Sequence, residues 1–151
     1  MTRRRATAAG ALLALVLALS ACSPLLPTPG ESGSPMTNSL DTSAIADAIT
    51  ATSATIESAE VETTRDGVTT VLFVRPTIST GGLTSDELDA LLRVAYAESR
   101  GAVSTIEIRT VDASDKPVDL EPAAEELGIH FLPHTNSITY STTTLASEYG
   151  E

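Results

Sequence analysis

The chain has 151 residues, with 20 acidic against 9 basic and a formal charge of −11, a balance that argues against a nucleic-acid partner because phosphate binding relies on clustered Lys and Arg. One cysteine, Cys22, leaves no thiol pair for an internal disulfide and no thiolate set for structural zinc. Aromatics make up 3% of the chain and Trp is absent, so the core must be built mainly from Ala, Val, Ile and Leu.

The N-terminus has the three parts of a secretory signal. Arg3, Arg4 and Arg5 supply the positive start, residues 6–19 carry no charge, and Ser20 and Ala21 lead to Cys22. The apolar run falls short of the roughly 20 residues of a comfortable membrane span, so it suits a cleaved signal. Ala6 and Thr7 follow the arginines where a twin-arginine signal has apolar bulk, which favours general secretion. The run Leu19-Ser20-Ala21-Cys22 resembles the lipobox of bacterial lipoproteins at all four positions. The resemblance implies a diacylglyceryl group on the Cys22 thiol, cleavage after Ala21, and Cys22 as the mature N-terminus on the extracytoplasmic face of the cell membrane. The excess of arginine over lysine resembles that of proteins from GC-rich genomes such as actinobacterial ones.

Loss of Arg3, Arg4 and Arg5 with residues 1–21, which hold no acid, moves the charge from −11 to −14. Anionic headgroups repel such a domain, and two acyl chains are what a stable anchor needs. The membrane partner is therefore reached through the lipid on Cys22. Residues 22–39 read as a lipidated cysteine and a tether holding Pro24, Pro27, Pro29, Pro35, Gly30 and Gly33. Its 17 residues after Cys22 reach about 55 Å fully extended.

Residues 40–151 read as a single α+β domain. Asp41 or Thr42 caps a first helix with Ile45, Ala48, Ile49 and Ile56 near helical spacing on its stripe, and Leu40 can staple onto Ile45 if Asp41 is the cap. Asp66-Gly67 marks a two-residue hairpin turn. Counting outward sets Val61 opposite Leu72 and Ala59 opposite Val74 on a buried face, and Glu60, Glu62, Val71 and Phe73 on a mixed face. Arg75 lies near Glu57 and Glu60, and Pro76 ends regular pairing or marks an edge. Thr84-Ser85-Asp86-Glu87 is a capping box opening a second helix with Leu88, Leu91, Leu92 and Ala95 buried, Asp89 and Arg93 paired, and Gly101 as its stop. A third strand covers 104–111, with Ile106 and Ile108 inward. A third helix covers 120–127, capped by Asp119 and ended by Gly128. The tail around Ile129-Phe131 and Ile138-Tyr140 offers one further strand.

This order predicts a small two-layer sandwich, a mixed sheet of three to four strands with helices packed on one face. The strand–helix–strand unit favours a right-handed parallel crossover. The order helix, hairpin, helix, strand resembles the BON domain of bacterial envelope proteins, with Arg65-Asp66-Gly67-Val68 where that family has its turn glycine. The other BON glycines are missing, since Arg75-Pro76 replaces one of them. No lipid-binding role is carried over.

Chemistry is sparse. His130 and His134 are the only histidines, four apart with Pro133 between, and no HExxH run exists. Asp112, Asp115, Asp119 and Glu121 surround Lys116-Pro117, but at no calcium-loop spacing; they read as a solvated loop. No Gly-x-Ser-x-Gly elbow and no Ser-x-x-Lys pair occurs. Gly81-Gly82 lacks a phosphate-binding lysine and reads as a turn. No catalytic, cofactor or metal residue is assigned. The sequence points to a non-catalytic envelope module that binds a protein or wall polymer. The alternative is a small hydrolase or metal-dependent enzyme using His130 and His134.

Overall fold

In the computed structural model of the protein, the described residues are 40–79 and 81–150. The signal segment, Cys22 and the tether to residue 39 lie outside them.

The first helix, α1 (Thr42–Thr50), is capped by Asp41, whose Oδ1 accepts from the Ala44 amide at 3.0 Å. It buries Ile45 and Ile49 and stops before Ile56, which opens the first strand instead of continuing the helix. That strand, β1 (Ile56–Asp66), forms an antiparallel hairpin with β2 (Thr69–Ile78). The turn residues are Gly67 and Val68, with Asp66 paired to Thr69. The turn therefore sits one position later than Asp66-Gly67, and the ladder shifts by two. Val61 faces Val74 and Ala59 faces Pro76, while Leu72 faces Thr63. A shift of two leaves every side chain on its expected face, because the strand period is two.

Helix α2 (Ser85–Ser99) starts at a complete capping box: Thr84 Oγ1 accepts from the Glu87 amide, and Glu87 Oε2 accepts from the Thr84 amide at 2.9 Å. Leu88, Leu91, Leu92 and Ala95 are fully buried. Gly101, with φ 76°, turns the chain out of the helix. The chain then re-enters the sheet as β3 (Thr105–Ile108), parallel to β2, and β4 (Val111–Asp112), also parallel to β2. These two are one line of chain. Val74 pairs with Ile108 and Thr77 with Val111, which is the same offset. The ladder breaks opposite Arg75 and Pro76. The Arg109 amide still donates to the Val74 carbonyl. The return bond to Arg109 would come from residue 76, and proline has no N–H. Pro76 thus interrupts an inner strand and does not mark an edge.

After α3 (Glu121–Leu127), which Gly128 closes at φ 76°, a second hairpin forms from β5 (Leu132–His134) and β6 (Ser137–Ser141). Helix α4 (Thr142–Tyr149) ends the described chain. The sheet order is β1-β2-β3-β6-β5, with β4 off the end of β2. The fold is α+β with a mixed open sheet, as its sequence predicts, and it has six strands where three to four were expected. The increase comes from the break at Pro76 and from the tail, which forms a hairpin where one strand was expected.

The helices and one face of the sheet share a single core. Leu72, Val74, Ile106, Ile108, Ile138 and Tyr140 line it from the strands, and Ile49, Leu88, Leu91, Leu92 and Leu145 from the helices. Helix α4 docks on α2 through Tyr149, whose hydroxyl donates to Asp89 Oδ1 at 2.9 Å while the Arg93 guanidinium lies 4.3 Å from its ring centre. Asp89 also accepts from Arg93 Nε at 2.7 Å. Tyr140 is fully buried, and its hydroxyl has no partner among the described residues. Burial pushes that phenol up to about 12. Tyr140→Phe removes an unsatisfied donor at little change in volume. It should hold or raise stability by about 1 kcal/mol in urea titration. A loss of that size would show that the hydroxyl has a partner in solution.

Candidate functional site

The second face of the sheet carries no residue of the core cluster except through its neighbours, and it gathers the polar side chains the strands turn away from the helices. The registers place one lateral row across it: Glu62, Phe73, Glu107, Thr139 and Leu132. A second row holds Thr64, Val71, Thr105 and Ser141. Val71 and Phe73 are half-buried, and Leu132 is 57% exposed. Glu107 Oε1 accepts from Ser137 Oγ at 2.8 Å. The mixed face read from the hairpin alone therefore extends over five strands.

Arg75 is anchored at one corner of this face. Its guanidinium donates to Glu60 Oε2 at 2.7 Å and to Asp115 Oδ1. Its hydrogen bond to Glu60 is the main reason its proton is held more tightly than usual, with Asp115 adding to it. Glu57, expected beside Arg75, makes no salt bridge among the described residues; its place is taken by Asp115, fifty-odd positions along the chain from β1. Asp115 adopts φ 65°, the left-handed region, at the tip of the acidic loop.

That loop is organised by its own backbone. Asp112 Oδ1 accepts from the amides of Ser114 and Lys116, and these two bonds hold its carboxyl below the usual range. Asp119 Oδ1 accepts from the Glu121 amide at 3.0 Å. It thus serves the start of α3 from one position before the cap residue, Leu120. Asp112 and Asp119 are engaged in local backbone bonds and Asp115 in its bond to Arg75, which is the geometry of a structured loop.

The two histidines do not share a cavity. His130 stands at a small hollow of about 220 Å³ with Thr105, Leu132, Thr139 and Ser141. His134, at the end of β5, faces a different hollow of about 400 Å³ with Asp119, Glu121 and Asn136. Among the described residues, no three His, Cys, Asp or Glu side chains gather in a way that could hold a metal ion. Gly81 and Gly82 precede α2, where the capping box already occupies the Thr84 and Glu87 amides.

Sequence reading missed the polar junction built on Glu87. Glu87 Oε1 accepts from Ser53 Oγ at 2.5 Å and from Thr55 Oγ1 at 2.6 Å, beside its capping bonds to Thr84. Hydrogen bonds from Ser53 and Thr55 hold its carboxyl down to about 2. Four donors on one carboxylate, none of them charged, make this a joint between the α1–β1 connection and α2, not a proton-transfer group. The capping box was the visible signal; the partners 32 and 34 positions away had none.

Among the described residues, no helix is long and apolar enough to cross a membrane. Comparison with protein families finds no match, and none emerges among curated proteins or solved structures.

Proposed function

We propose that this chain is a lipid-anchored bacterial envelope lipoprotein whose folded domain is a non-catalytic binding module. The observation that carries the reading is the run Leu19-Ser20-Ala21-Cys22 behind three arginines and a charge-free stretch. Cys22 takes the diacylglyceryl group and becomes the mature N-terminus. Residues 23–39, with four prolines and two glycines, are the proposed tether between the lipid and the domain. The domain presents its open sheet face, with Phe73, Val71 and Leu132 among polar neighbours, to an envelope protein or wall polymer. The separation of His130 from His134 into different hollows favours this reading over a hydrolase that uses both.

The anchor is tested by expressing the full chain in a bacterium that processes lipoproteins. The mature protein should start at Cys22, carry two ester-linked acyl chains by mass spectrometry, and sediment with membranes. Cys22→Ala should leave it unlabelled by a fatty-acid analogue and unprocessed at this position. A bare Cys22 thiol in the wild-type protein, or labelling that survives Cys22→Ala, overturns the anchor.

A further inference from the structure

Strand β1 ends the sheet, and among the described residues its backbone from 57 to 66 makes no backbone hydrogen bond to any element but β2. Half of the peptide groups along about 30 Å of strand therefore point outward without a protein partner. Beside this edge runs a shallow groove of about 380 Å³. Its walls are Thr42, Ser43 and Ala46 of α1 and residues 59–62 of β1. Four consecutive strand residues line it, so it takes in both faces of the strand, and no β2 residue does. That pattern places the groove along the outer edge, between strand and helix.

We infer that this edge and groove form a strand-addition site for an extended, basic protein segment that alternates Lys or Arg with small apolar residues. The inference goes beyond the open-face reading by naming a further site, the outer edge of β1, and its class of partner, and it does not depend on the lipid. An added strand would hydrogen-bond the free edge. Its side chains on the open-face side would stand beside Glu60, Glu62 and Asp66, which all project to that face. Glu62 and Asp66 pair with no cation among the described residues. Opposite charges directly across a ladder attract, which selects Lys or Arg there. The alternate side chains would enter the groove, where Ala46, Ala59 and Val61 offer apolar contact beside the hydroxyls of Thr42 and Ser43.

A second copy of the chain is the weaker occupant. β1 holds Glu57, Glu60, Glu62 and Asp66 against a single Arg65, so pairing the strand with itself sets acid beside acid. The tether is excluded as occupant by its four prolines, which cannot donate to a ladder.

The probe is the heptapeptide Lys-Val-Lys-Ala-Lys-Val-Lys, labelled and titrated with the full chain in nonionic detergent at about 150 mM salt, where generic attraction to an acidic protein is screened. The alternating peptide should bind more tightly than a peptide of the same composition with its lysines in one block. The Glu-for-Lys peptide should not bind. Amide exchange across residues 57–66 should slow on binding, which side-chain contact alone does not produce. Glu62→Lys, an exposed and unpaired position, should weaken binding about fivefold. Ala46→Trp fills the groove and should abolish it, with circular dichroism confirming the fold; where that variant unfolds, Glu62→Lys carries the test. Equal binding of the blocked peptide, unchanged exchange in 57–66, or dimers growing with concentration in sedimentation would overturn the proposal. None of these outcomes alters the acylation of Cys22, so the anchor and the edge site fail separately.

Discussion

Ile106→Ala should destabilise the domain by about 3–4 kcal/mol, within the range for truncating a fully buried Ile or Leu. Ile106 is 0% exposed and lies on the central strand, between Leu72 on one side and Tyr140 on the other. Neither neighbour can shift into the gap without leaving its own ladder, so the cavity stays open. In a domain of this length the loss corresponds to a fall in Tm of roughly 12–20 °C. Ile106→Val should cost about 1 kcal/mol, and Val71→Ala, half-buried on the opposite face one strand away, about as little. Since Cys22 is the only cysteine, no disulfide supports the fold when core packing is weakened. Equal losses for Ile106→Ala and Val71→Ala in thermal unfolding would mean that the second face is buried in solution as well.

Glu87→Gln should remove a pH-dependent part of stability. The folded carboxyl titrates near 2 against an ordinary value of 4.5, so the native state favours the ionised form. A depressed carboxyl contributes fully above its unfolded pKa and loses that contribution as pH falls from about 4.5 to about 2. The shift sets an upper limit of about 3 kcal/mol, and solvent at the rim of the joint lowers this to about 2. The hydroxyls of Ser53 and Thr55 must then share a neutral acceptor, and charge-assisted bonds are roughly twice as strong as neutral ones. Urea titrations at pH 7 should therefore show Glu87→Gln less stable by about 2 kcal/mol, with the gap closing by pH 2. A gap that stays constant with pH would assign the loss to packing. Glu87→Ala should cost more at pH 7, because four hydroxyl or amide groups lose their acceptor.

The legible parts of the fold were those whose causes are local. The capping box at Thr84 and Glu87 lies within one turn of chain, and the stripe Leu88, Leu91, Leu92 and Ala95 follows from helix period alone. The face of each hairpin residue was legible for the same reason. The register was not, because Gly67-Val68 and Asp66-Gly67 are both possible turns, and the choice depends on how Val61 and Val74 meet the core. Helix α4 was hidden by Thr142, Thr143 and Thr144, which favour extended chain. It forms because Ser141 caps it and Leu145 reaches the shared core.

The sequence by itself determined the acidic charge, the α+β class and the inward face of the main elements, and it carries the proposal of an anchor at Cys22. Each rests on residue identity or on spacing within a few positions. Only tertiary structure decided that Arg75 reaches Asp115, that Glu87 joins Ser53 and Thr55, and that His130 and His134 stand at separate hollows. It also decided that β1 lies at an end of the sheet. Partners of this kind are brought together by the order in which strands pair, and strand order is an outcome of packing the whole sheet against its helices.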